Sequence, residues 1–203
     1  MALLNPVRRM SEAEYLELER KAEFKSEFYD GEMFAMAGGT RSHSLIAMNI
    51  GAELRAAVKG RGSVVFESNM RVKVETTGLQ TYPDVSVACE EQRFLDETQD
   101  TLLNPTFIVE VLSDSTERYD RGNKFFQYQK IDSLKEYMLV SQHEPRVELF
   151  VRQKDGTWLL HVVEGLDEQI ASPTLNVTLK LSEIFANVKF EPRPIRAQGP
   201  KPF

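Results

Sequence analysis

The chain has 203 residues, 41% of them hydrophobic and 28% charged, an ordinary composition for one soluble globular domain, and no run approaches the ~18 apolar residues of a membrane span. A net charge of -6 and a sequence pI near 5.3 exclude a whole-molecule field that gathers nucleic acid, so any phosphate-binding surface has to be local. The lone Cys89 excludes an internal disulfide, and the N-terminus lacks an apolar stretch with a small-residue cleavage site, so no signal peptide is expected and the cytoplasm is the default location.

In chain order, Ser11 followed three residues later by Glu14 is a capping-box pattern and opens a first helix. Asp30-Gly31, between the half-apolar segments of "FYDGEMFAMA", predicts a hairpin. From Ser42, Leu45, Ile46, Met48, Ile50 and Leu54 recur near helical spacing up to Gly60 and Gly62, which predicts a second helix. Strands are expected over "SVVFES", "NMRVKVET", "YPDVSVAC" and "TFIVEVLS", the last two separated by a polar, acidic loop. In "NMRVKVET", Met70, Val72 and Val74 alternate with Arg71, Lys73 and Glu75, one face buried and the other wet. "STERYDRGNKFFQYQKIDS" reads as a helix, and "EYMLVSQ", "RVELFVRQ" and "TWLLHVVE" as three more strands. Residues 191–203, rich in proline and polar side chains, read as a disordered tail after a single domain over 1–190. Helices, a strand cluster, one helix and further strands predict a mixed α/β or α+β fold with a central sheet.

Two strand positions are out of place. In "TFIVEVLS", Phe107, Val109 and Val111 share one face while Ile108, Glu110 and Leu112 share the other, so Glu110 is the polar exception in an apolar strand. Asp84 is a second exception, in "YPDVSVAC" beside Val85 and Val87, with Pro83 suiting a strand's beginning. An ionised carboxylate buried without partners costs several kcal/mol, so each needs a cation, donors or a raised pKa. On neighbouring strands the two would converge in one pocket and repel. A divalent cation removes that conflict, and oxygen ligands favour Mg2+ or Mn2+. The competing reading pairs Glu110 with a buried Arg or Lys as a structural ion pair. In the following helix, Asp120, Lys124 and Tyr128 recur at i, i+4 and i+8 as one polar stripe, which either turns Lys124 toward the carboxylates or forms an ordinary solvated face.

"YPDVSV", "PTFIVEVLSDST" and "YDRGNKFFQYQKIDSLKEYMLV" together resemble the PD-(D/E)XK, restriction-endonuclease-like nucleases. More closely the chain resembles the Uma-two family of restriction endonucleases, whose N-terminal segment "EFYDGEMFAMAGGTRSHSLIAMNIGAEL" is also similar to; the resemblance spans roughly residues 10 to 185. It implies a restriction-endonuclease-like core and metal-assisted phosphodiester hydrolysis. Asp84, Glu110 and the Val111 carbonyl would hold Mg2+ or Mn2+, with nucleic acid, DNA first, as the partner. The superfamily's lysine stands two residues after the acid, where this chain has Leu112; the resemblance implies that Lys124 replaces it, with Lys73 as the rival. Glu27 or Glu32 would add a carboxylate, Tyr128 a hydrogen bond or mere bulk, and His43, similar to a recurrent family histidine, reads as a packing or capping residue. Cutting both strands of a duplex favours a homodimer, for which Phe150, Trp158 and Leu160 are core or interface. A non-catalytic binding module of the same fold is the alternative, on the evidence of Leu112 and the acidic pI. A carboxylate-pair glycosidase would need acid and base across a sugar cleft, for which the sequence offers little aromatic support.

Overall fold

A computed structural model describes residues 9–36 and 38–190; the expected disordered tail at 191–203 lies outside them. Helix α1 (Glu12–Glu19) starts on the capping box, with the Ser11 side chain accepting from the Glu14 N–H and the Glu14 carboxylate accepting from the Ser11 N–H at 2.8 Å. Strands β1 (Ser26–Tyr29) and β2 (Glu32–Ala35) form the hairpin predicted around Asp30-Gly31. Both turn residues have positive φ, 48° and 81°, as a two-residue turn matched to strand twist requires. Helix α2 (Arg41–Val58) is capped by Thr40, whose hydroxyl accepts from the His43 N–H, and buries Ile46, Ile50, Leu54 and Val58 at intervals of four. Met48 falls off that stripe and is 70% exposed.

The remaining chain builds two large sheets and a two-stranded one around two apolar cores. Strands β3 (Val64–Glu67), β6 (Val85–Ala88), β8 (Phe107–Leu112), β9 (Glu136–Ser141), β10 (Arg146–Arg152) and β11 (Trp158–Glu164) lie side by side in the order β11-β10-β9-β8-β6-β3. Every neighbouring pair is antiparallel except β8 and β9, which run parallel and are joined by the helical segment after Leu112. A second sheet, order β2-β1-β5-β4-β7, adds β4 (Arg71–Lys73), β5 (Gln80–Thr81) and β7 (Thr101–Leu102) to the hairpin; β7 lies inside the acidic stretch predicted as loop. The alternation predicted for β8 holds. Phe107, Val109 and Val111 pack with α2 in one core, while Ile108 and Leu112 pack with Tyr128, Leu134 and Tyr137 in the other. Each such aliphatic burial is worth ~1.5–3 kcal/mol.

Three differences from the sequence reading have physical causes. The face of β4 expected to be wet is covered: Arg71 is buried between the rings of Tyr15 and Tyr82, and Lys73 turns to Glu12 of α1 at 2.5 Å. The strands β12 (Gln169–Ser172) and β13 (Val177–Lys180), with the short helix α5 (Leu181–Ile184), were not anticipated; their few apolar residues, including Ile170, Leu179 and Ile184, complete the core beneath α2. The helix after β8 is not regular: α3 (Glu117–Tyr119) passes through a π turn at Asp120–Lys124 into α4 (Phe125–Tyr128). Among the described residues no helix is long and apolar enough to cross a membrane.

Candidate active site

The antiparallel register of β6 on β8 pairs Val85 with Val109, which sets Asp84, one residue before β6, across from Glu110. Directly opposed residues of an antiparallel pair point to the same face. Pro83 has no N–H to lend to a ladder, so β6 begins at Val85, and the Asp84 side chain continues the pairing by accepting from the Val111 N–H at 2.7 Å. Both carboxylates open into one cleft of about 1670 Å³ between the β1–β2 hairpin and α2.

Lys124 reaches the same place from the π turn. Its ammonium lies 2.9 Å from Glu110 Oε1, 3.1 Å from Glu27 Oε1 and 3.5 Å from Asp120 Oδ1. Tyr128 donates to Glu110 Oε1 at 2.9 Å, and Thr81 donates to Glu27 Oε1. The polar stripe is therefore no solvated face: Asp120, Lys124 and Tyr128 are all buried. The widened turn keeps the three on the inner side together, and Tyr137 fixes it by donating to the Asp120 carbonyl at 3.0 Å. Single π turns inside helices are frequent at functional positions.

The charges do not balance. One ammonium faces Glu27, Glu110 and Asp120. Burial pushes the Glu110 carboxyl well above the usual range; Lys124 opposes this, and Asp120 and Asp84 reinforce it. Burial raises Asp120 as well. Burial works against the Lys124 ammonium, but the negative charge at Glu110 and the groups around it outweigh that, so Lys124 stays protonated. The Tyr128 phenol is pushed up by burial and stays a donor.

His43, in the first turn of α2, completes the cluster and was set aside as packing or capping in the sequence reading. Its Nε2 lies 3.3 Å from Asp84 Oδ2. Burial opposes its protonation, but Asp84, aided by Asp120 and the Val111 carbonyl, holds its pKa above the ordinary value. Gly39 makes room for it, since a Cβ there would sit 2.9 Å from His43 Nδ1. The sequence signal was available in "GGTRSH", a glycine pair before a capped helix with a histidine in its first turn.

Of the remaining candidates, Glu27 joins the cluster, whereas Glu32 stands exposed at the start of β2 and does not line the cleft. Lys73, tied to Glu12, is also absent from the lining. As donors for a cation, Asp84, Glu110 and the Val111 carbonyl are all hard oxygens, and Asp120 Oδ1 is a buried oxygen with no hydrogen-bond partner. Among the described residues no three His, Cys, Asp or Glu side chains are arranged to hold an ion by themselves.

Comparison with known proteins gives the family and the fold. A protein of Synechocystis sp. strain PCC 6803, named as uncharacterized, is 37% identical over 161 residues, covering 79% of this chain and 91% of its own. A second from the same organism, likewise named, is 32% identical over 185 residues, covering 91% and 96%. The crystal structure of "a putative nuclease belonging to DUF820" from Anabaena variabilis shares the fold, with a TM-score of 0.69 at 20% identity over 85% of this chain and 96% of that one. Residues 12–182, which carry the opposed carboxylates, the π-turn lysine and the two sheets that hold them, match the family described as "Putative restriction endonuclease", and the chain belongs to that family, Uma2.

Proposed function

We propose that the protein is a divalent-metal-dependent nuclease that hydrolyses phosphodiester bonds of nucleic acid, with DNA as the first substrate to test. The observation that carries this reading is the 2.9 Å approach of Lys124 to Glu110, itself opposite Asp84. A lysine from the following helix thus meets Glu110 although Leu112 stands at the usual lysine position, which favours the nuclease over a non-catalytic module of the same fold. Asp84, Glu110 and the Val111 carbonyl would hold Mg2+ or Mn2+. A cation held there supplies Lewis acidity to a phosphate oxygen and lowers the pKa of a bound water.

The chain's own groups do the rest. Lys124, kept charged by its carboxylate surroundings, directs an N–H at anionic oxygen in a dry floor, where such stabilisation is strongest. Tyr128 fixes the Glu110 carboxylate in one rotamer, and the Val111 N–H does the same for Asp84. Glu27, anchored by Thr81, holds the lysine from the hairpin side. With nucleic acid as substrate, the cytoplasm is its compartment.

The test is incubation of supercoiled plasmid and circular single-stranded DNA with the protein and Mn2+, comparing wild type with Glu110→Gln. Cleavage by the wild type alone supports the reading; no cleavage of either DNA, or equal cleavage by the variant, ends it. Calorimetric Mn2+ titration of wild type and Asp84→Ala checks the metal site separately. The proposal includes a homodimer. Strand β11 pairs with β10 alone among the described residues and exposes Leu159, Leu160 and Val162, and an open apolar edge of this kind pairs with a second copy about a two-fold axis. Sedimentation giving a concentration-independent monomer refutes that part.

A further inference from the structure

The walls of the cleft differ from its floor. The floor is charged and buried, while the rim carries exposed rings and a thioether: Phe24, Tyr29 and Phe34 on the hairpin side, and Met48 on α2. Phe34 is the informative one. It lies directly across the ladder from Glu27, on the same face of the hairpin, and Glu27 touches Lys124. Side chains so paired have Cβ atoms ~4.5–5.5 Å apart. Yet Phe34 is 48% exposed and belongs to neither apolar core. No packing need in the described fold accounts for a phenyl ring facing water next to a buried lysine, and clustered exposed apolar groups of this kind mark binding surfaces.

The cations of the cleft are few and largely occupied. Lys25 donates to the Ser68 carbonyl and Asn69, His43 faces Asp84 and Lys124 is enclosed by carboxylates, which leaves Arg55 in a lining that also carries Glu23, Glu67 and Asp114. A duplex presents phosphates and base edges, hides its base faces, and is held mainly by cations on its backbone. It matches this rim poorly, and its phosphates would have to descend to side chains only 4% exposed at Glu110 and Lys124. An unpaired strand matches on each count. Its base faces are free to stack on aromatic rings, which carry binding where cations are scarce, and its backbone bends enough to lower one phosphate to the floor.

Resting on the nuclease reading for the identity of the floor, we infer that the cleft takes an unpaired nucleic-acid strand, with a base stacked on Phe34 beside the phosphate above Lys124. Tyr29, on the same face of the hairpin, is placed for a neighbouring base.

The experiment is fluorescence anisotropy of a short labelled oligodeoxynucleotide, single-stranded or annealed to its complement, titrated with the full chain in Ca2+. The proteins are wild type, Phe34→Ala and, as control, Phe126→Ala, whose ring is exposed outside the cleft. The single strand binds wild type at least ~10-fold tighter than the duplex, and Phe34→Ala weakens single-strand binding ~10- to 100-fold with little effect on duplex binding. Phe126→Ala changes neither. Equal or tighter duplex binding, no binding of either form, or a Phe34→Ala loss no larger than that of Phe126→Ala overturns the inference. Stacking-dependent binding without any cleavage in Mn2+ keeps the inference and removes the nuclease reading, so the two fail separately.

Discussion

Replacing Glu110 by glutamine should make the metal-free protein more stable while abolishing its activity. Without a divalent cation, one ammonium at Lys124 faces the carboxyls of Glu27, Glu110 and Asp120 in a buried floor. Burial lifts the Glu110 pKa above its unfolded value, so near neutral pH the folded state binds more protons at this site than the unfolded chain does. The sign follows from linkage: the site costs nothing below the unfolded carboxylate pKa of ~4.3, and stability is lost as pH rises from there through the raised folded value. Glutamine keeps the shape and an acceptor oxygen for the Tyr128 hydroxyl but carries no charge, and Lys124 retains Glu27 and Asp120. Replacing buried ionic groups by uncharged ones of similar volume is often neutral or gains ~1–4 kcal/mol provided no partner charge is left unpaired, and here Lys124 keeps two carboxylates. The amide N–H2 needs a partner in its turn, so ~1–2 kcal/mol is expected, or ~2–8 °C in Tm for a chain of this size. The assay is a thermal melt in EDTA at two pH values, near 5 and near 8. The gain should be present at the higher pH and shrink at the lower, and Mn2+ at ~100 times its Kd should raise the wild-type stability by ~2.7 kcal/mol and leave the variant unmoved. A fall in Tm for Glu110→Gln in EDTA refutes the reasoning, because it would make Glu110 the needed counter-ion of Lys124 and the cluster a structural ion pair.

Lys124→Ala should lower cleavage ~10²- to 10³-fold with Mn2+ affinity kept, measured by plasmid nicking and calorimetry. Because Lys124 is buried, the same change should cost ~3–5 kcal/mol, and Lys124→Met, which refills the space, should recover part of that stability and none of the rate. Tyr128→Phe should cost ~0.5–1.5 kcal/mol in a chemical melt by removing the hydrogen bond to Glu110, and should reduce the cleavage rate without abolishing it. Lys73→Ala should leave cleavage unchanged, since its ammonium serves Glu12 on α1; a lost activity in the nicking assay would restore it as the rival lysine.

The parts of the site visible in the sequence were those where one residue broke a local rule. Glu110 and Asp84 were conspicuous because strand alternation assigns each a face, and the register of β6 on β8 placed them together. The Asp30-Gly31 turn and the Ser11 capping box were readable for the same reason, since turn and cap chemistry are local. What escaped depended on distant partners. Burial of the Asp120, Lys124 and Tyr128 stripe requires a π turn, which no spacing announces, and the Tyr137 hydroxyl that braces it comes from β9. Lys73 looked exposed because nothing in β4 reveals that α1 lies over it. His43 needed Asp84, forty-one positions further along, to become more than a capping-turn residue.

The parallel pairing of β8 with β9 has a consequence for the order in which the protein is made. Residues 27, 84, 110 and 124 all leave the ribosome before Glu136–Ser141, yet the helical segment carrying Lys124 has no floor to settle on until that strand aligns with β8 and brings Tyr137 under the π turn. At ~5–20 residues per second the interval is short, but throughout it the nascent chain carries Lys124 without the strand that braces its turn. A message truncated ahead of β9 therefore encodes a chain that carries Lys124 without the strand that braces its π turn.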